Sequence, residues 1–203
     1  MASAIAKSKP GLRGKDLITI GIFSAIYFVL NFICMLSGGL HPILWILMPG
    51  TIAVLTGIPF LMMCAKVQKF GSVLIMGLIV GLFYFVTGQF TVLILLTFVL
   101  ACSLAEVLRF LTKYGSFWGN AFAFMVFSLG MTGSPLPIWV MKESFFAQIA
   151  AQGMPGDYIT TLEAFSSPAM LIVLFTAPVV GALVGACIAK GMFNKHFQKA
   201  GIV

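Results

Sequence analysis

The stretch LITIGIFSAIYFVLNFICMLS, Leu17–Ser37, decides the fold class of this chain. It holds 21 residues without a charge, between Lys15-Asp16 and Gly38-Gly39. An α-helix needs about 20 apolar residues to cross the hydrocarbon core of a bilayer. The stretch is longer than the roughly 7–15-residue apolar region of a signal peptide, and no small-residue cleavage site follows it. We therefore interpret it as a retained first transmembrane helix.

The rest of the chain shares this apolar character. Of its 203 residues, 61% are hydrophobic and 8% are charged, whereas a soluble domain carries about 25% charged residues. The composition predicts an all-α polytopic protein embedded in a lipid bilayer. The formal net charge of +7 does not indicate a nucleic-acid partner, because the basic residues lie in short segments between apolar runs rather than on one amphipathic face.

Six apolar runs predict a single domain of six transmembrane helices. The runs are 17–37, 42–65, 70–86, 89–108, 119–140 and 169–189. The second contains Pro49-Gly50 and Pro59 and is expected to be kinked or broken. If the N-terminus is cytoplasmic, eleven of the 12 basic residues fall inside and only Lys142 lies outside. The positive-inside rule therefore predicts that both termini are cytoplasmic.

The long outer segment, residues 141–168, contrasts with the tight outer turn at 38–41. Phe145 and Ile149 indicate an amphipathic helical turn that lies along the membrane surface, before a break at residues 153–156. Long loops of this kind are often lids over binding sites. A passive tether is the alternative, and the sequence favours neither.

Small residues at helical spacing occur in three of the runs. The pairs are Gly21/Ala25, Gly77/Gly81 and Gly181/Gly185. Small residues let helix backbones approach closely in lipid, where packing replaces the hydrophobic effect as the driving force. Each pair could pack within this chain or bind a partner. Gly21/Ala25 is the best candidate for a partner, because it lies near the cytoplasmic end of its helix beside bulky residues such as Tyr27 and Phe28.

Polar and aromatic residues of the outer half are candidates for a binding site. They are His41, Trp45, Asn31, Tyr84, Gln89 and Trp139. His41 is either an interfacial residue or a ligand contact, such as an axial ligand of a haem iron. Asn31 and Gln89 cost free energy to bury in a membrane, so each is a weak site hypothesis. Tryptophans also belong to the interfacial aromatic belt.

Other polar groups have simpler interpretations. Glu106 lies three residues before Arg109, a spacing that predicts a local ion pair on one helix. The cysteines lie inside apolar runs without a C-x-x-C motif, and we interpret them as small buried hydrophobes rather than disulfide or metal ligands. They are Cys34, Cys64, Cys102 and Cys187.

Several functional motifs are missing from the sequence. It has no nucleotide-hydrolysing loop, no metalloprotease or serine-hydrolase motif and no pair of intramembrane aspartates. No reactive cluster is visible, so we do not expect an enzyme. If the protein moves a solute uphill, another subunit must supply the energy.

The opening GKDLITIGIFSAIYFVLNF, residues 14–32, resembles the S-component family labelled MptD or Trep_Strep. The layout of the whole chain is similar to that of S components of energy-coupling factor (ECF) importers. The resemblance implies a bacterial plasma-membrane protein that binds a micronutrient at its outer face. It also implies docking on a membrane T subunit driven by two ATPases. Gly21 and Ala25 match the family's small-residue docking motif A-x-x-x-A, with Gly in place of the first Ala.

The resemblance leaves the substrate open. Members of the wider group take vitamins or metal ions, and some MptD-type systems are associated with haem uptake. Haem is the leading single candidate, with His41 as its metal ligand and Met35 or Met131 as alternatives, and no intrinsic cofactor is expected. A vitamin in the same role is the alternative. A stand-alone small carrier would need a polar path through the bilayer, and the polar residues favour the outer half only.

Overall fold

The computed structural model describes residues 11–86 and 91–193, and in this part of the chain helices joined by short turns are the only regular secondary structure. The helices are α1 Gly14–Gly38, α2 Pro42–Lys66, α3 Ser72–Val86, α4 Val92–Leu111, α5 Phe117–Ser128, α6 Pro137–Val140, α7 Lys142–Ala151, α8 Gly156–Ala164 and α9 Pro168–Met192. A 3₁₀ segment, Leu129–Gly133, connects α5 to the short link before α6. The all-α prediction is confirmed for the described residues.

The prediction of six spanning helices is confirmed only in part. Within residues 11–86 and 91–193, four helices are long and apolar enough to cross a membrane, namely α1, α2, α4 and α9, and α3 is apolar but shorter. The predicted fifth span, 119–140, is wrong as a single helix, since α5 ends at Ser128. Gly130 and Gly133 weaken the helix, and Pro135 and Pro137 then lack the amide hydrogens that would continue it.

Helix α2 lies at the centre of the bundle and does not break. It runs from Pro42 to Lys66 through Pro49 and Pro59, and 72% of its apolar window is buried, the highest share of the four candidate spans. Packing against neighbouring helices on several sides holds the helix together where its own hydrogen bonds are interrupted.

Helices α2 and α9 pack backbone against backbone. A Cβ atom at Gly185 would lie 2.6 Å from the carbonyl oxygen of Ala53, and one at Gly57 would lie 2.7 Å from the carbonyl carbon of Gly185. Real side chains do not fit at such distances. The Gly181/Gly185 pair therefore serves packing within this chain, which is one of the two interpretations of such pairs.

The two ends of the bundle differ in character. We call the end where α1 and α3 begin and α2 and α4 end the basic end. It is tied together by an ion pair of 2.6 Å between Lys69 and Asp16. We call the opposite end, where α1 ends and residues 141–168 pack, the loop end.

Glu106 holds the start of α3 at the basic end. It is 1% exposed, and its carboxylate accepts hydrogen bonds from the backbone amides of Gly71 at 3.0 Å and Val73 at 2.8 Å. These amides have no partner within the helix itself, and a negative charge is favourable at a helix N-terminus.

Arg109 holds the end of α2 and is fully buried. Its guanidinium donates to the carbonyl oxygens of Cys64 at 3.2 Å and Val67 at 3.0 Å. It also donates to Asn120 Oδ1 at 2.8 Å and to the Ser72 hydroxyl. The predicted local ion pair with Glu106 is therefore wrong. The two residues lie on one helix, and each bonds to neighbouring elements instead of to the other: Glu106 to the start of α3, and Arg109 to the end of α2, to Ser72 and to Asn120.

Candidate substrate site at the loop end of the bundle

A cavity of about 640 Å³ lies at the loop end, a volume typical of small-molecule sites. We call it the loop-end cavity. The end of α1 and the start of α2 form one wall, with Met35, Gly38 and Trp45, and the start of α4 forms another. Helices α7 and α8 supply the remaining wall through residues such as Phe145 and Tyr158.

The described residues that line the loop-end cavity carry no charge. The polar side chains among them are Thr91, Ser134, Ser144, Gln148, Gln152 and Tyr158. Trp45 and Phe145 stack with ring centroids 5.6 Å apart and an interplanar angle of 20°, so an aromatic surface spans from α2 to α7. Such a lining suits a molecule with a planar apolar part and a few hydrogen-bonding groups.

Helices α7 and α8 cover this cavity. The hydroxyl of Tyr158 on α8 donates a hydrogen bond of 2.8 Å to the carbonyl oxygen of Gly38, the last residue of α1. Burial raises the pKa of Tyr158 above its ordinary value of 10.0, so this hydroxyl stays protonated and able to donate at neutral pH. Lys142 and Glu163 form an ion pair of 3.1 Å between the two helices. Residues 141–168 therefore form an ordered cover.

A second apolar cluster anchors the cover beside the cavity. Its buried members are Ile46, Ile138, Ile149 and Leu162. Trp139 packs against them and donates its indole N–H to the carbonyl oxygen of Ser167 at 3.0 Å. The cover is thus fixed to α2 as well as to α1.

Residues 14–199 match the model of a family described as "Hypothetical bacterial integral membrane protein (Trep_Strep)". The chain belongs to this family. Its description agrees with a multi-pass bacterial membrane protein and assigns no activity. No curated protein and no solved structure matches the chain.

The loop-end cavity includes one of the six predicted binding residues, Trp45. His41 is exposed and caps α2, where its Nδ1 accepts a hydrogen bond of 3.2 Å from the amide of Ile43. It does not line the cavity. Trp139 lies in the neighbouring apolar cluster. Gln89 lies outside the described residues.

Asn31 and Tyr84 lie deeper in the bundle than the cavity. They are 0% and 1% exposed, respectively, and neither lines the cavity. The binding roles predicted for them remain predictions.

The sequence analysis missed the face of α7 that lines the cavity, which combines apolar and amide side chains. Phe145, Gln148, Ile149 and Gln152 line the cavity and recur at i, i+3, i+4 and i+7. This spacing places them on one side of a helix. The signal was present in the sequence, but the apolar members alone suggested contact with a membrane surface.

Metal-ligand chemistry is sparse in the described part of the chain. Residues 11–86 and 91–193 contain no group of three or more His, Cys, Asp or Glu side chains that could hold a metal ion. Cys34, Cys64 and Cys102 are buried, as predicted, whereas Cys187 is exposed on α9.

Proposed function

We propose that the protein is the substrate-binding S component of an ECF-type importer. It captures a micronutrient in the loop-end cavity and delivers it inward with a T subunit and two ATPases. The observation that carries this proposal is a covered cavity of about 640 Å³ at one end of a helical membrane bundle. A cavity at one end suits capture on one side of the membrane, and partner subunits then supply the inward step.

The charge distribution supports an outward-facing cavity. The basic end carries cations on four helices. They are Lys15 at the start of α1 and Lys66, Arg109 and Lys190 near the ends of α2, α4 and α9. Positive residues favour the cytoplasmic side of a membrane. The loop-end cavity, at the other end, then faces outward.

A smooth strip on α1 supports the docking of a partner. A Cβ atom at Gly21 would meet nothing within 4 Å, and Ala25 is exposed on the same face. Ile18 and Ile22 beside them are 66% and 55% exposed. In contrast to Gly181/Gly185, this small-residue pair is not used for packing among the described residues. Its position near the basic end suits a T subunit that delivers substrate to the cytoplasm.

Replacing both Gly21 and Ala25 by leucine is expected to abolish association with the T subunit and substrate uptake. Two bulky side chains on this strip would hold a partner helix away, while folding stays intact because the strip is open. The measurement is co-purification of T subunit and ATPases with the tagged protein. The matched control is Gly81→Leu, since a Cβ there also meets nothing within 4 Å. Full association of the double variant would contradict the docking role.

Haem is the first substrate to test. The thioethers of Met35, Met141 and Met154 line the loop-end cavity, and a methionine sulfur can bind a haem iron. The uncharged lining described above equally supports a vitamin-type molecule without net charge. A saturable shift of the Soret band on titration, weakened in Met35→Leu or Met141→Leu and unchanged in His41→Ala, whose side chain does not line the cavity, would identify haem bound in this cavity. Without such a shift, the search turns to vitamins.

A further inference from the structure

Helix α1 presents a polar stripe to the interior of the bundle below the loop-end cavity. Ser24, Tyr27 and Asn31 follow one another at i, i+3 and i+7, and all three are 0% exposed. Thr56 of α2 and Tyr84 of α3 face the same group. We call Ser24, Tyr27 and Asn31 the polar stripe.

Although Thr56 lies close to Tyr27 and Tyr84 lies close to Asn31, the side chains of the polar stripe make no hydrogen bond of good geometry with the described residues. This holds for Ser24 Oγ, the Tyr27 hydroxyl oxygen and both amide atoms of Asn31. A buried polar group without a partner costs free energy, and lipid offers no water to compensate. In native proteins such groups are nearly always paired with protein, ordered water or a ligand. Poorly satisfied polar groups on three adjacent turns of α1 are typical of a place where water or a ligand supplies the remaining hydrogen bonds.

The polar stripe ends about one helical turn below the loop-end cavity. Gly38 lies on the same buried face of α1 as Asn31, and Met35 also lines the cavity. Asn31 lies four residues before Met35, which corresponds to about 6 Å along the helix axis. Cys34, 7% exposed, and the flexible side chain of Met35 separate the two. A methionine adapts its shape easily, so the floor of the cavity can open toward Asn31.

We propose that the polar stripe forms a hydrated inner subsite of the loop-end cavity. Water fills it when substrate is absent, and an uncharged hydrogen-bonding group of the substrate, such as an amide or hydroxyl, takes its place. The hydroxyls and the amide of the polar stripe supply both donors and acceptors without a charge. We therefore expect the substrate group that binds there to be neutral. The part of this proposal that concerns substrate rests on the proposed import function, whereas the hydration of the subsite does not.

The native Cys34 reports on this subsite. A variant that retains only Cys34, with Cys64, Cys102 and Cys187 replaced by alanine, is treated in detergent with a small water-soluble methanethiosulfonate. Because modification requires water at the thiol, Cys34 is expected to react about tenfold faster than Cys64 in the matched Cys64-only variant. Cys64 is also buried but lies near the basic end, away from the polar stripe. Asn31→Leu in the Cys34-only protein is expected to slow the reaction by removing the group that holds the water.

Two results would overturn the proposal. One is a Cys34 as unreactive as Cys64, while Ser144→Cys on the cavity wall, in a protein without native cysteines, reacts rapidly. The other is a Cys34 rate that Asn31→Leu leaves unchanged. Size-exclusion profiles check the folding of every variant, and Tyr27→Phe replaces Asn31→Leu if that variant misfolds. The labelling experiment uses neither a partner nor a substrate, so its result does not depend on the importer proposal. Failure of that proposal would instead be detected as a failure of T subunit and ATPases to co-purify with the protein.

Discussion

Replacing Arg109 by leucine is expected to prevent the basic end of the bundle from forming. The variant would leave the carbonyl oxygens of Cys64 and Val67 and the side chain of Asn120 buried without their donor. Losing one partner from a buried charged network costs about 3–5 kcal/mol, a large share of the stability of a small domain.

The measurement for Arg109→Leu is the yield of monodisperse protein in detergent, together with its thermal unfolding temperature. Arg109→Lys is expected to be intermediate, because an ammonium keeps the charge but cannot reach all these acceptors with the geometry of the guanidinium fork. Lys15→Leu is the matched control, since it removes an exposed cation at the same end. Wild-type stability of Arg109→Leu would show that the network does not hold the fold.

Replacing Gly185 by valine is expected to separate α2 from α9. The new Cβ would lie 2.6 Å from the carbonyl oxygen of Ala53 and 2.8 Å from that of Val54. Overpacking a core commonly costs about 1–3 kcal/mol. We expect the upper end of that range or more, because the obstructing atoms are backbone and cannot change rotamer.

Thermal unfolding and size-exclusion profiles measure the effect of Gly185→Val. Gly81→Val is the matched control, since it adds the same side chain to a membrane helix at a position where a Cβ meets nothing within 4 Å. The difference between the two variants isolates the clash from the change in helix propensity between glycine and valine, which both variants share. Equal stability of the two would contradict close contact between α2 and α9.

Local sequence signals predicted the long helices well. The first run, 17–37, corresponds to α1, Gly14–Gly38, because twenty apolar residues in lipid have few alternatives to a helix. The predicted fifth span failed because hydropathy averages over the glycines and prolines of residues 130–137, which end α5. Apolar character indicates which segments lie in the membrane. The ability of the backbone amides to continue the hydrogen-bond pattern decides where a helix ends.

The sequence was less informative about contacts between distant residues. Glu106 and Arg109 are three residues apart, and their spacing suggested a local pair. Their partners at the end of α2 and the start of α3 are 32 to 45 residues away in sequence. Nothing in the local pattern identifies these partners. The sequence likewise predicted only part of the candidate site. Trp45 was predicted from its position near the outer end of the second apolar run. The face of α7 required knowledge that this helix packs over a cavity.

The most direct test of the central claim is native mass spectrometry of the protein purified in mild detergent from the membranes of its own host. We expect a bound small molecule, identified by its mass as haem or as a vitamin-type compound. Ser144→Trp, which fills the loop-end cavity, should lose it, and Thr160→Trp, an exposed position on α8 that does not line the cavity, should retain it. Absence of any bound molecule in the wild type, or its retention in Ser144→Trp, would contradict capture of a substrate in this cavity.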